Sequence, residues 1–253
     1  MSETPGTIER VLSLLTLIAE SRRSMGVKDV SDALQLPMST SHRLLDLLLE
    51  AGFVEKDEAR RRYSIGLEFF RLASLVTQKT SYPELIQPIL GQITAKTGET
   101  SIYTTYLSAQ RATMYSAKSD SSDSLRFRIT LFQQMPLEWG ASSLAILSYL
   151  PADIQEEAFA NTNPSPTGRK RLSRAAFFER IETVRRSGFA FTESEKLLDS
   201  IGIAAPVMIA EANVVGSIAL TIPKVRFVQS KLEPYATIVK QSAKSISRGV
   251  DAN

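Results

Sequence analysis

The chain has no cysteine, a single histidine (His42) and one tryptophan. Without thiols there is no disulfide, no thiolate metal site and no cysteine nucleophile. A Ser–His hydrolase would have to use His42, and no Gly-x-Ser-x-Gly elbow accompanies it. Glycine-rich phosphate loops and clustered metal ligands are missing too. No apolar run approaches the roughly 20 residues that span a bilayer. The start, Met1-Ser2-Glu3-Thr4-Pro5, lacks the basic and apolar segments of a secretory signal. Charge of one sign is also scarce: 30 Lys and Arg face 27 Asp and Glu, a net +3. Residues 1–80 hold eleven of each sign, so any nucleic-acid contact there depends on where charges sit rather than on a bulk field. These absences lead us to expect a soluble cytoplasmic protein with no catalytic residues, no metal ligands and no cofactor.

What is present fits a globular chain. Hydrophobic residues make up 43% and charged residues 23% of 253 positions, enough for one large domain or two ordinary ones. Ile8, Val11, Leu12, Leu15 and Ile18 recur at helical spacing after Thr7, an expected N-cap. A second helix is predicted from Val27 to Leu34, burying Val30, Ala33 and Leu34. Pro37 then interrupts, and Ser39 is expected to cap a third helix over Thr40 to Ala51 with Leu44, Leu45, Leu48 and Leu49 inward. Gly52 suits the left-handed residue that ends a helix. Phe53–Glu55 and Tyr63–Ile65 alternate like two short strands around a charged tip. A helix from Leu67 to about Gln78 carries Leu67, Phe70, Ala73 and Leu75 on one face, and Tyr82-Pro83 breaks the pattern.

Beyond this point the periodicity changes. A helix with Leu85, Ile89 and Ile93 is expected to end at Gly98. Strands are predicted at Ser101–Leu107, Ala112–Ser116, Leu125–Thr130, Phe189–Thr192, Ile201–Ile209 and Val214–Ile222. Helices are predicted at Ala141–Leu150, Ala152–Ala160, Arg174–Ser187 and Lys231–Arg248, the last burying Leu232, Ala236, Val239, Ala243 and Ile246. Hairpins mixed with helices indicate an α+β fold with a mainly antiparallel sheet. The expected domains are a winged helix-turn-helix over 1–66, a linker helix over 67–82 and a larger domain over 83–253.

A short helix, a tight turn and a longer helix followed by a hairpin form a winged helix-turn-helix. Its recognition helix would open with Ser39, Thr40, Ser41, His42 and Arg43, small polar groups able to approach base edges. Arg60, Arg61 and Arg62 at the wing could meet phosphates or enter a minor groove. Read from the residues alone, the serines could equally be caps, the arginines a solvated loop, and the three helices a hub without nucleic acid.

The stretch Val30-Ser31-Asp32-Ala33-Leu34-Gln35-Leu36-Pro37-Met38-Ser39-Thr40-Ser41-His42-Arg43-Leu44-Leu45 resembles the helix-turn-helix of the IclR family of bacterial transcription regulators. The likeness continues through Leu48-Leu49-Glu50-Ala51-Gly52-Phe53-Val54 and Arg62-Tyr63-Ser64-Ile65-Gly66. It recurs in Pro136-Leu137, in Arg186-Ser187-Gly188-Phe189 with Glu193 and Glu195, and in Ile203-Ala204-Ala205-Pro206-Val207. The resemblance implies a repressor or activator that reads double-stranded operator DNA through the winged helix. It further implies dimerisation through the linker helix, dimers that pair into tetramers, and a curved sheet holding a small organic acid or related metabolite. By register the effector-binding residues become Ala141, Ser142, Glu193, Gly202, Ala219 and Thr221, and a helix opening at Ala141 is expected to offer free N–H groups to a carboxylate.

Departures from the family pattern are Met38, where a basic residue is usual, Ser143-Leu144 in place of Gly-Lys, Glu138 in place of a His, and Ala219 in place of a hydroxyl. Together they suggest one phosphate contact fewer and a less polar pocket suited to a larger or aromatic ligand. Two other classes stay open from the residues: an enzyme built on a carboxylate pair such as Glu193 and Glu195, and a dimerising interaction module that binds no DNA.

Overall fold

The computed structural model describes residues 6–21, 23–79, 82–209 and 213–251, and the Met1–Pro5 segment considered above lies outside them. The chain divides into two compact units, residues 1–80 and 81–253. Among the described residues, no helix is long and apolar enough to cross a membrane.

In the first unit, α1 (Thr7–Glu20), α2 (Val27–Leu34) and α3 (Met38–Glu50) precede a hairpin of β1 (Val54–Asp57) and β2 (Arg62–Ile65), and α4 (Glu68–Lys79) follows. Leu14, Ile18, Val30, Leu44, Leu45, Leu48, Val54 and Tyr63 form its core. Helices α1 and α3 contribute residues three or four apart, the spacing that stacks side chains on one face. Ile8 and Leu12 do not join this core and stay exposed, as does Ala33. Two caps differ from expectation. Thr7 is the first helical residue, with Gly6 at the cap. Ser39 lies inside the first turn of α3, whose cap is Pro37 and makes no side-chain cap bond. Gly52 has φ +76°, the left-handed geometry expected of it.

The second unit is built on a six-stranded antiparallel sheet in the order β5-β4-β3-β8-β7-β6. The strands are β3 (Thr100–Leu107), β4 (Ala112–Ser119), β5 (Gln134–Met135), β6 (Ala190–Glu193), β7 (Ser200–Ile209) and β8 (Asn213–Pro223). Helices α5 (Tyr82–Thr97) and α9 (Leu232–Asp251) cover one face. Helices α6 (Ala141–Leu147) and α8 (Arg174–Ser187) cover the other, with α7 (Ala152–Asn161) outside α6. Register shifts at Tyr103/Thr104 and Val207/Met208 mark bulges that bend the sheet.

Side-chain size alternates along the central strands. Ile201, Ile203 and Val207 on β7, with Ile218, Leu220 and Ile222 on β8, pack beneath α5 and α9. The intervening positions Gly202, Ala204, Ser217 and Ala219 are small, and α6 lies over them. Helix α9 seats Ala236, Val239, Ala243 and Ile246 on the large-residue face, at alternating steps of three and four.

Three expectations in this unit are corrected. Leu125–Thr130 is not a strand: Arg226 Nη1 donates to the Leu125 carbonyl at 2.6 Å, Leu125 is exposed, and only Ile129 of the three alternating residues is buried. The outer strand is instead β5, paired with Thr113 and Met114 of β4. Tyr82-Pro83 does not end helical structure, because α5 starts at Tyr82 and a proline near a helix start gives up no internal hydrogen bond. Helix α6 stops at Leu147, shorter than expected.

Gly216 faces β3 so closely that a Cβ there would fall 2.3 Å from the Thr104 carbonyl oxygen and 2.7 Å from the Tyr103 hydroxyl. We expect Gly216→Ala to destabilise the fold by about 1–3 kcal/mol, as overpacking does. Urea denaturation should show a lower midpoint with unchanged slope, and an unaltered midpoint would contradict this contact.

Candidate nucleic-acid interface and ligand pocket

The turn between α2 and α3 is set by Gln35, which takes a left-handed φ of 52°. Ser31 Oγ donates to the Leu36 carbonyl at 2.6 Å and locks the turn. Helix α3 then turns Ser41, Leu44, Leu45 and Leu48 inward. Ser41 is fully buried and its hydroxyl has no partner, so it cannot reach a base. The 41, 44, 45, 48 spacing already placed it on the core face. Ser39, His42 and Arg43 are exposed and Thr40 half-buried, so four of the five expected contact residues share the outer surface.

Two features of that surface were missed in the sequence. Asp46 sits one turn after His42, with its Oδ2 2.8 Å from His42 Nδ1. When Nδ1 carries the proton, Nε2 is left as an acceptor for a base or backbone donor. The exposed carboxylates of Asp46 and Glu50 also repel phosphates, so the helix presents its first two turns to an anionic partner. Lys56 of β1 is the second: it lies in a groove of about 630 Å³ together with Ser39, His42, Arg61 and Tyr63. Its hydrogen bond to Glu58, at 2.9 Å, raises the ammonium above its ordinary pKa.

The three wing arginines do different things. Arg60 is exposed and only loosely paired, Nε lying 3.8 Å from Asp57. Arg61, at φ 51°, lines the groove with no carboxylate in ion-pair range among the described residues. Arg62 turns inward, which corrects its assignment as a phosphate contact. Its Nε and Nη2 donate to the Ser24 carbonyl at 2.8 and 2.5 Å, and Nη2 also meets Asp29 at 2.9 Å. Asp29 in turn accepts the Gly26 N–H at 2.8 Å. That bond, followed by Arg62, holds the Asp29 carboxyl below its ordinary value of 3.8. Reciprocal backbone bonds of 2.8 and 2.7 Å between Met25 and Tyr63 complete the attachment of the wing to the start of α2.

In the second unit a cavity of about 30 Å³ opens between the start of α6 and strands β7 and β8. Five of the six expected effector residues line it: Ala141, Ser142, Gly202, Ala219 and Thr221. A Cβ on Gly202 would come within 2.9 Å of the Ala141 Cβ, so only glycine lets α6 approach this closely. Glu193 does not line the cavity. It ion-pairs with Lys224 at 2.7 Å, and that hydrogen bond lowers its pKa. Two residues on, Glu195 is buried: it accepts the Gly140 N–H at 2.9 Å and pairs with Arg180 at 2.7 Å. The N–H ahead of α6 is therefore taken, and a seven-residue helix adds little dipole of its own.

The positive charge comes from elsewhere. Lys196 reaches into the cavity, its Nζ donating to Ser143 Oγ at 2.8 Å and lying 5.5 Å from the Tyr115 ring centre. Burial pushes the Tyr115 hydroxyl up to about 12 and the Glu138 carboxyl above its ordinary range. Thr192 and Ser200 add hydroxyls to the lining, so the cavity is small and polar rather than apolar and large. Lys196 sits in the irregular loop between β6 and β7, where periodicity carries no signal. Among the described residues, no group of three or more His, Asp or Glu side chains is placed to hold a metal.

Comparison with known proteins gives a consistent picture. The model of the IclR helix-turn-helix domain matches residues 7–58, and that of the bacterial transcriptional regulator IclR C-terminal region matches residues 75–248. The HTH-type transcriptional regulator KipR of Bacillus subtilis is 25% identical over 246 residues, spanning 96% of both chains. The glycerol operon regulatory protein of Streptomyces griseus is 26% identical over 256 residues, spanning 100% of this chain and 99% of its own. Among solved structures, an IclR transcriptional regulator from a Silicibacter species superposes with TM-score 0.85 at 24% identity, covering 97% of this chain and 96% of its own. An IclR homologue from Microbacterium hydrocarbonoxydans, crystallised with 4-hydroxybenzoate, gives TM-score 0.80 at 18% identity and covers 98% and 100%.

The geometry of Arg62 makes a prediction independent of any ligand. Arg62→Ala should cost about 1–2 kcal/mol and speed amide exchange in β1 and β2, while Arg60→Ala leaves exchange unchanged. Because the Asp29 pKa is lowered on folding, the brace is intact at neutral pH and is lost as pH falls through that depressed value, below 3.8. Equal exchange in both variants would remove Arg62 from this role.

Proposed function

Because the chain belongs to the IclR family of bacterial transcriptional regulators, and is thus a DNA-binding regulator, we propose that Ser39, Thr40, His42 and Arg43 meet operator bases while Arg60 and Arg61 meet phosphates. The observation that carries this reading is the split of α3 into a buried leucine face and an outer face opening with hydroxyls, an imidazole and an exposed guanidinium. Arg and His suit the acceptor-rich edge of guanine, and the hydroxyls suit either base or backbone. Ser41 and Arg62 leave the contact set, and Lys56 joins the groove beside it.

The active form in this proposal is a homodimer that pairs further into a tetramer. Phe70, Leu75 and Val76 of α4 are exposed within their unit, as are Ile8 and Leu12 of α1, and such apolar surface favours a second copy. Two heads then read half-sites about 34–36 Å apart, one helical turn. The effector is a small organic acid bound in the cavity between α6 and β7–β8, supported by the lysine, hydroxyls and small residues converging there. Its binding favours one arrangement of the dimer and so changes head spacing, with a coupling of about 1–3 kcal/mol. Repression and activation are both compatible with this coupling.

Selection of bound duplexes from a random pool, with and without candidate acids, tests the whole reading. In the selected operator, Arg43→Ala should relax one base position and cost about 1–3 kcal/mol. Arg61→Ala should weaken all sequences alike and reduce the salt slope by about 0.9. Failure to enrich any duplex at low ionic strength would overturn DNA reading by this face. Coupling is checked separately by titrating a bound acid with and without operator: affinity must shift by the factor by which the acid shifts operator affinity, and an acid affinity unchanged by operator would refute the coupling.

A further inference from the structure

Several polar groups around the cavity are already matched. Glu195 is matched by Arg180 and the Gly140 N–H, Thr113 and Ser143 hydrogen-bond each other at 3.0 Å, and Ser217 donates to the Ser142 carbonyl at 3.0 Å. Lys196 has no such balance. Of its three protons one meets Ser143 Oγ at 2.8 Å, and a second contact among the described residues is the Met135 sulfur at 3.7 Å. No carboxylate comes within ion-pair range of it among the described residues, although the half-buried side chain lines the cavity. An ammonium removed from water without an anion is costly, and one that persists at a ligand cavity marks where an anion belongs.

We propose that Lys196 supplies the counter-charge for the effector's carboxylate and makes the cavity selective for small monoanions, an inference that rests on the cavity being the effector site. One unpaired cation matches one negative charge, since Arg180 is already committed to Glu195. The space of about 30 Å³ holds little more than a water, so Lys196 must move as the ligand enters. Its stem packs against Gly140, where a Cβ would lie 2.9 Å from Lys196 Cδ, and φ of +86° there also favours glycine. The loop that carries Lys196 has left-handed residues at both ends, Ser194 (φ 49°) and Asp199 (φ 53°).

The assignment has a pH signature. Burial lowers the ammonium to about 8, against the opposing pull of Glu138 and Glu195. A carboxylate that binds only the charged form loses affinity as pH rises through that value, about tenfold per unit beyond it. Groups facing Lys196 are Glu138 before α6, Glu195 beside it, Tyr115 on β4, and Ser143 and Met135. Tyr115, at about 12, stays neutral throughout.

The test is calorimetric titration of the full-length protein with acetate, pyruvate, lactate and benzoate, and with the matching neutral amides, from pH 6.5 to 9.5. We expect acids to bind and amides not to, with the pH dependence above. Lys196→Met, which keeps the packed stem, should lose roughly tenfold or more in affinity. Lys196→Arg should bind and flatten the pH profile, and Glu138→Gln, which removes one of the pulls opposing burial, should move the profile to lower pH. Unchanged acid binding by Lys196→Met would overturn the role of Lys196 while leaving the effector cavity standing. Should Lys196→Met fail to fold, a flat wild-type profile would overturn it equally. Equal binding of acids and amides, or of none, would overturn the monoanion site, and retained operator recognition would then show the DNA reading to be independent of it.

Discussion

The second unit depends on a size rule in β7 and β8: bulky aliphatic residues at one parity, glycine, alanine and serine at the other. The bulky parity seals against α5 and α9 and buries its apolar side chains there. The small parity lets α6 settle on the sheet with Ala141 in contact distance of Gly202. Because α6 comes so close, Ala141, Ser142 and Ser143 meet the strands, and a small cavity remains between them. A larger residue at position 202 or 219 would lift the helix and dissolve the site without touching any group in it. The main packed core and the cavity thus occupy opposite faces of the same two strands.

Much of this was legible in the sequence, and the failures have physical causes. Helices α2 and α8 carry apolar residues at strict spacing between clear stops, and their limits match the expected ones. Gly52, Gly98 and Gly188 end their helices with positive φ, as a left-handed terminus requires. Leu125, Phe127 and Ile129 imitated a strand because alternation alone does not reveal whether a partner strand exists. Ser41 was misplaced for another reason: hydroxyl chemistry drew attention, although its spacing to Leu44, Leu45 and Leu48 pointed inward. Lys196 had no local signal at all. Its neighbours across the cavity, Ser143 and Tyr115, lie more than 50 residues away in the chain. Such meetings are made by topology, and no periodic pattern announces them.

The same division appears among the charges of the first unit. Arginines 60, 61 and 62 are adjacent and chemically identical, yet the passage from turn to strand sends them to different surroundings. Arg62 opens β2 and reaches back to Ser24 and Asp29, whereas Arg60 and Arg61 occupy the tip. A cluster that reads as one basic patch is a brace, a loosely paired Arg60 and an Arg61 with no carboxylate in ion-pair range among the described residues. The acidic residues Asp46 and Glu50 further confine the attractive surface to the opening of α3. A nearly neutral unit thereby presents a directed field instead of a diffuse one.

The brace has a kinetic meaning. Many loops that touch nucleic acid are ordered only on contact, and the lost conformational freedom weakens the complex. Here the hairpin is tied to α2 by a guanidinium fork and by reciprocal Met25–Tyr63 bonds before any duplex arrives. The cost of immobilising it is incurred during folding, once, rather than at every encounter. A head so prepared can sample and leave wrong sequences quickly, keeping long residence for the sequence whose base edges fit.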